Sequence, residues 1–311
     1  MAGPIDDVVR EILVRQLDAW GPAALHRAKR ATFVQAYGGP VGGLAEAAIR
    51  VFDEFTDLLR GRRLTLPVVG PTVDAAALDR VVRELDRPSG LDVHPVAGGV
   101  DALPAVLSAA SAGGAPLLAF VDATTGPPPS AAALAAIAKG KPAELLLVLG
   151  AGGRGLDHRA ALRTAGFPLV ADVELVARDG AGAAGGDETR LVAFATGSGK
   201  SLDAFKDAMW AVDEYAGVRY RDPHDPEGHL LDISERPHPG PLRRELLAHL
   251  DTVGRATVTE LRQFTVTDTV YRSADATRVI TALLTGGHIR RDPPSGRLAG
   301  DVLIEPTGTA A

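Results

Sequence analysis

A glutamine and a run of glycines, Gln35 followed by Gly38, Gly39, Gly42 and Gly43 in ATFVQAYGGPVGGLAEAAIRV, form the segment best equipped to meet a ligand. Glycines let backbone amides approach a bound molecule, and a helix that starts just beyond them offers unpaired N–H groups and a positive dipole end. Gln35 stands where such pockets often place an acid. The same spacing also suits a tight strand-to-helix turn in any α/β protein, so both readings stand. A second candidate is Asp122 in AFVDATTG, a carboxylate at the end of an apolar run, where open α/β sheets bind ligands. Its alternative is to cap the helix that follows Pro127–Pro129.

Two further segments carry reactive residue types. ATGSGKS, ending at Ser201, looks like a phosphate loop, but the glycine required five positions before Gly199 is Phe194. Capping the helix that begins near Leu202 is the favoured role, with Lys200 left able to touch a nucleic-acid backbone. RDPHDPEGH gathers Asp222, His224, Asp225, Glu227 and His229, all competent metal ligands, yet its prolines forbid a helical face. A solvated polar loop is the default there, and no metal is expected.

These residues need elements to hold them, and the apolar pattern supplies the elements. The chain has 311 residues, 46% of them hydrophobic, which is enough for one sizeable domain and a smaller one. An amphipathic helix is expected over 5–17, then strands over 31–36, 64–69, 91–96, 116–121 and 144–149. Helices over 44–59, 75–85, 103–110 and 131–138 alternate with them, the rhythm of parallel strands joined by right-handed crossovers. Segments 168–177 and 190–196 flank the turn AGAAGG and read as a terminal antiparallel hairpin, before a helix over 202–215. Five strand–helix units closed by a hairpin describe an α/β, Rossmann-like sheet of the class I methyltransferase type.

The organisation changes after residue 218. Residues 219–241 are polar and broken by prolines, which reads as a linker. Beyond it, Leu242, Leu246, Leu247 and Leu250 line one helix face, and Thr257 with Glu260 forms a capping box for a second helix. Ser273 is the expected N-cap of a third, stopped by Gly286 and Gly287, and two strands at 288–291 and 301–305 follow. Three helices and a hairpin make a winged helix over 242–311, after an α/β domain over 1–218. Its third helix carries Arg278, and its wing carries Arg290, Arg291 and Arg297, candidate phosphate contacts. Winged helices also dock proteins, and a net charge of −6 opposes wholesale coating of nucleic acid.

Absence of cysteine removes disulfides, thiolate nucleophiles and Cys-ligated metals from this chain's own chemistry. Acids interrupt the apolar pattern of MAGPIDDVVREILVRQLDAW, and no basic stretch precedes an apolar one, so no signal peptide is expected. No apolar run reaches membrane-spanning length, and a cytoplasmic protein without membrane contact is expected.

With FVQAYGGP, AFVDATTG, LVAFATGSGKSLDAFKDAMW, LLAHLDTVGRATVTELRQFT and ATRVITALLTGGHIRR in view, the chain resembles the three-Cys-motif partner family over nearly its whole length. Those proteins are methyltransferase-like and carry a C-terminal winged helix. The resemblance implies S-adenosylmethionine as cofactor, held by Gln35, Gly38, Gly39 and Gly42, with Asp74 reaching the ribose and Asp122 near the methyl acceptor. It also implies a cysteine-motif protein as partner. The family's first loop carries an aspartate where this chain has Gln35, and a final glycine where it has Val41. At the end of the second strand, Gly70 and Pro71 replace the ribose-binding acid, and Thr72 with Asp74 equally suits a helix cap. Asp122 keeps the acid of the family's Asp-Pro-Phe-Gly signature, but Ala123 replaces its proline.

Overall fold

Apolar runs on both faces of successive strands dictate a sheet buried between helical layers, because such strands have no side to give to water. The computed structural model describes residues 3–39, 43–84, 90–155, 157–177, 188–212, 217–225 and 227–307. The chain opens with α1 (Pro4–Arg27), β1 (Arg30–Tyr37), α2 (Leu44–Asp53), α3 (Thr56–Leu59) and β2 (Arg63–Gly70). It continues through α4 (Ala75–Glu84), β3 (Leu91–Ala97), α5 (Leu103–Ala109), β4 (Leu117–Ala123), α6 (Ala131–Ile137) and β5 (Ala143–Leu149). Next come α7 (His158–Ala165), β6 (Leu169–Ala177), β7 (Glu188–Thr196), α8 (Gly199–Trp210), β8 (Val218–Arg221) and β9 (Leu230–Asp232). The tail holds α9 (Gly240–Val253), β10 (Ala256–Thr257), α10 (Val258–Asp268), α11 (Ser273–Thr285), β11 (Ile289–Asp292) and β12 (Leu303–Pro306).

The large sheet has the order β3-β2-β1-β4-β5-β7-β6-β8-β9. Strands β1 to β5 pair in parallel, whereas β7 lies antiparallel between β5 and β6. Chain order therefore reverses between β1 and β4, the switch point over which open sheets form a crevice. This is the expected Rossmann-like, class I methyltransferase-like sheet. The AGAAGG turn of the hairpin lies outside the described residues.

Alternation sends Phe33, Leu66, Phe120 and Leu146 to the face covered by α1, α2 and α8, and Val34, Ala119, Val121 and Leu145 to the face under α5 and α6. The helix expected over 5–17 runs ten residues further, to Arg27, through Pro22. Burial of Trp20, Ala24 and Leu25 on the same face offsets the hydrogen bond that the proline forfeits. The helix expected over 44–59 is two helices, α2 and α3, parted at Glu54 and Phe55.

The stretch 219–241, expected as a linker, carries β8 and β9, which lengthen the sheet past β6. Val218 and Tyr220 turn inward while Arg219 pairs with Asp232, a two-residue period that four residues among prolines hardly advertise. Strand β8 pairs only with the 174–177 half of β6.

In the tail, three helices pack with an antiparallel sheet of order β10-β12-β11. Thr257 caps α10 by accepting from the Glu260 N–H at 3.1 Å, and Glu260 accepts from the Thr257 N–H at 2.7 Å, so the capping box forms as read. The third helix starts one residue early: Arg272 is its N-cap, and Asp275, 2% exposed, takes the Arg272 N–H.

Candidate functional site

The strand ends at the switch point place Gln35, Gly38, Gly39 and Asp122 together; Gly42 lies outside the described residues. Gln35 is fully buried and spends both ends of its amide inside the protein. Its Nε2 donates to the Leu44 carbonyl at 3.1 Å, at the start of α2, and its Oε1 accepts from the Tyr37 hydroxyl at 3.1 Å. Tyr37 leans on Phe120, and burial, reinforced by the charge of Asp122, pushes its phenol far above the usual range.

Asp122, half-buried, accepts from the Thr124 N–H at 2.9 Å and the Thr124 hydroxyl at 2.6 Å through the same oxygen, Oδ1. It shapes the β4–α6 turn, and that turn closes on the glycine loop. The Gly38 N–H donates to the Asp122 carbonyl at 2.8 Å. A Cβ on Gly38 would lie 2.0 Å from the Thr125 carbonyl oxygen, and one on Gly39 would lie 2.3 Å from the Thr125 hydroxyl. The close approach these glycines permit is thus to the protein's own Thr125, its backbone at Gly38 and its side chain at Gly39. Gly38→Ala is expected to destabilise by about 1–3 kcal/mol, since backbone rather than a pliable side chain must move. Urea unfolding reads this directly, and an unchanged midpoint would contradict the packing role.

Asp74 sits apart and exposed, its Oδ1 accepting from the Ala77 N–H at 2.9 Å, so it caps α4. Gly70, at the end of β2, accepts from the Gly98 N–H at 2.9 Å.

A denser set of ionisable groups joins β6 to the tail. Asp172, 3% exposed, accepts from His158 at 2.7 Å and approaches His224 at 3.1 Å and Arg159 at 3.9 Å. Burial alone would raise its pKa, but these hydrogen bonds and the guanidinium outweigh it and hold Asp172 well below the usual carboxylate range. The hydrogen bond to Asp172 raises the pKa of His224 despite burial. His224 Nε2 lies 2.5 Å from Arg159 as well. That nitrogen donates to Asp172 when protonated and accepts from Arg159 when not, so one ring serves two arrangements.

Arg159 also donates to the carbonyls of Val170, at 2.9 Å, and Thr267, tying the uncovered half of β6 to the last turn of α10, where the segment leading to α11 begins. The same segment is gripped by Lys206, which donates to the Thr269 carbonyl at 2.6 Å, and by Trp210, which donates to the Val270 carbonyl at 2.9 Å. Asp222 accepts the Val270 N–H at 3.1 Å. Lys206 is fully buried, and burial pushes it down to about 8 against the pull of Asp222 and Asp172. Beside this clasp lies a cavity of about 400 Å³ lined by Asp222, His224, Glu245, His249 and Asp268. Burial, then Asp222 and Asp225, pushes Glu245 up to about 7. RDPHDPEGH is not the solvated loop that its prolines suggest, because Asp222 is buried and His224 turns toward Asp172. Only its outer half pairs near solvent, His229 with Asp225 at 2.7 Å and Glu227 at 3.1 Å. Among the described residues no group of three or more His, Asp or Glu side chains is placed to hold a metal ion. Asp172 belongs to no motif, yet an acid inside LVADVELVA is itself a signal, because a buried charge demands partners.

The tail arginines divide into two pairs. Arg278 donates to Asp275 at 3.0 Å and the Pro237 carbonyl at 3.2 Å, and Arg291 clips its own hairpin turn through the carbonyls of Pro293 and Gly296, both at 2.9 Å. Arg290 pairs with Glu305 at 2.8 Å and remains largely exposed, as does Arg297. No helix among the described residues is long and apolar enough to cross a membrane.

No protein-family model matches the sequence. No curated protein matches it either. Among solved structures, the chain is similar to a precorrin-8w decarboxylase from Methanobacterium thermoautotrophicum at 15% identity, over 58% of this chain and 89% of that one, with a TM-score of 0.35. It is similar to a precorrin-6y C5,15-methyltransferase from Geobacter metallireducens at 13% identity, over 58% of this chain and 86% of that one, with a TM-score of 0.34. A SAM-dependent methyltransferase from Agrobacterium tumefaciens matches at 15% identity, over 59% of this chain and 62% of that one, with a TM-score of 0.37.

Proposed function

We propose that this chain is a noncatalytic, methyltransferase-like accessory protein whose tail, read as a winged helix, is the working surface for a protein partner. The observation that carries the reading is the crevice, where Gln35 has both amide ends bonded internally and Gly38 and Gly39 stand against Thr125. S-adenosylmethionine asks for carboxylates to take its ribose hydroxyls, and the residues present do not fit that demand. Gln35 is occupied, Gly70 ends β2, and Asp74 caps a helix. Two charged hydrogen bonds forgone weaken binding by about 3–6 kcal/mol, roughly a hundred- to ten-thousand-fold.

A protein partner is favoured over nucleic acid because Arg278 and Arg291 are engaged within the tail and the chain carries a net charge of −6. The resemblance to the three-Cys-motif partner family points to a cysteine-motif protein; any thiolate would then be that partner's, since this chain has no cysteine.

Calorimetric titration with S-adenosylmethionine and S-adenosylhomocysteine tests the reading. Millimolar or absent binding is expected, whereas a micromolar Kd would overturn it in favour of an enzyme using Asp122. In parallel, duplex DNA at low salt is expected to show no mobility shift. A shift abolished by Arg290→Ala with Arg297→Ala would reassign the tail to nucleic acid.

A further inference from the structure

The rim of the sheet opposite the crevice holds a cavity of about 270 Å³ between α1 and the first turn of α8. Gln16, Trp20, Glu144, Ser201, Arg27 and Lys200 are among its walls. Gln16 and Trp20 are 1% and 4% exposed, and each carries a buried polar atom without a partner among the described residues: Gln16 Oε1 and Trp20 Nε1. Buried polar groups are normally satisfied, so an orphan acceptor and an orphan donor carried by two side chains that line one cavity point to something that enters it. The rest of this polar cluster is already spent. Glu144 accepts from Ser201 at 2.7 Å and from Gln16 Nε2 at 3.3 Å, which fixes which end of the Gln16 amide is left over.

The mouth has the opposite character. Arg27 and Lys200 are exposed there and have no carboxylate partner among the described residues. Ser198 caps α8 by taking the Ser201 N–H at 3.2 Å, and the Gly199 and Lys200 amides are the first-turn donors that remain. Two cations and a helix start attract a doubly charged head group. A hydroxyl is both donor and acceptor, so one hydroxyl deeper in the cavity answers both Gln16 Oε1 and Trp20 Nε1. The volume corresponds to roughly nine water molecules. We propose that this cavity binds a small phosphate monoester whose alcohol part carries a free hydroxyl, with the phosphate at Arg27, Lys200 and the start of α8 and the hydroxyl at Gln16 and Trp20.

The site is independent of the accessory-protein reading, since it lies at the other rim and takes a different ligand. The chain has two tryptophans, so a proton–nitrogen correlation spectrum shows two indole signals. Trp210, already bonded to Val270, serves as the internal control. Titration with glycerol 3-phosphate is expected to move the Trp20 signal saturably and leave that of Trp210 in place. Lys200→Ala, a change at an exposed side chain, is expected to weaken binding at least tenfold, and inorganic phosphate to bind at least tenfold more weakly than the ester. No movement of the Trp20 signal, or equal affinity in Lys200→Ala, would overturn the proposal. Equal affinity for inorganic phosphate would overturn the role given to the hydroxyl.

Discussion

Asp172→Ala is expected to destabilise the protein by about 3–5 kcal/mol, as removal of one partner from a buried ion pair does. The change takes from the Arg159 side chain, 11% exposed, and from His158 the buried carboxylate that both face. Urea unfolding at neutral pH measures the loss, and a variant within about 1 kcal/mol of the native protein would sink the clasp as a stabilising unit. The pH profile adds a second signature. Because the Asp172 pKa is depressed in the fold, its contribution is complete above the unfolded carboxylate value near 4 and fades as pH falls through the folded value. His224 is shifted upward, so its contribution is complete below the unfolded value near 6.5 and is lost as pH rises through the folded one. Both slopes should disappear in Asp172→Ala.

Gln35→Asp, which installs an acid where ligand pockets on open α/β sheets often place one, is expected to cost ~3 kcal/mol and to leave S-adenosylmethionine binding unimproved. The shorter side chain does not span from Leu44 to Tyr37 as the amide does, and an ionised carboxylate would sit at a fully buried position. Thermal or urea unfolding reads the first effect, calorimetry the second. A variant of native stability that binds the cofactor at micromolar concentration would show that the crevice lacks only a charge, and would revive the enzyme reading.

Much of the scaffold was legible because strand and helix periods are local. Runs such as LLAFV and ELLLVL announce doubly buried strands, and Thr257 with Glu260 announces a helix start three residues apart. What escaped depends on distance along the chain. Asp172 meets His224 across 52 positions, and Lys206 meets Thr269 across 63, so no window on the sequence contains either pair. Gly38 is a glycine whichever surface approaches it; only coordinates reveal that the approaching surface is Thr125. Arg291 likewise reads as a free cation until its hairpin folds around it.

The apolar core on the α1 face runs without interruption from Ile5 and Phe205 through Tyr271 to Leu246, Ile280 and Ile304 at the far end of the tail. Such continuity gives the tail no apolar core separate from that of the sheet. Whatever seats on the tail therefore rests on the same apolar core that carries the sheet.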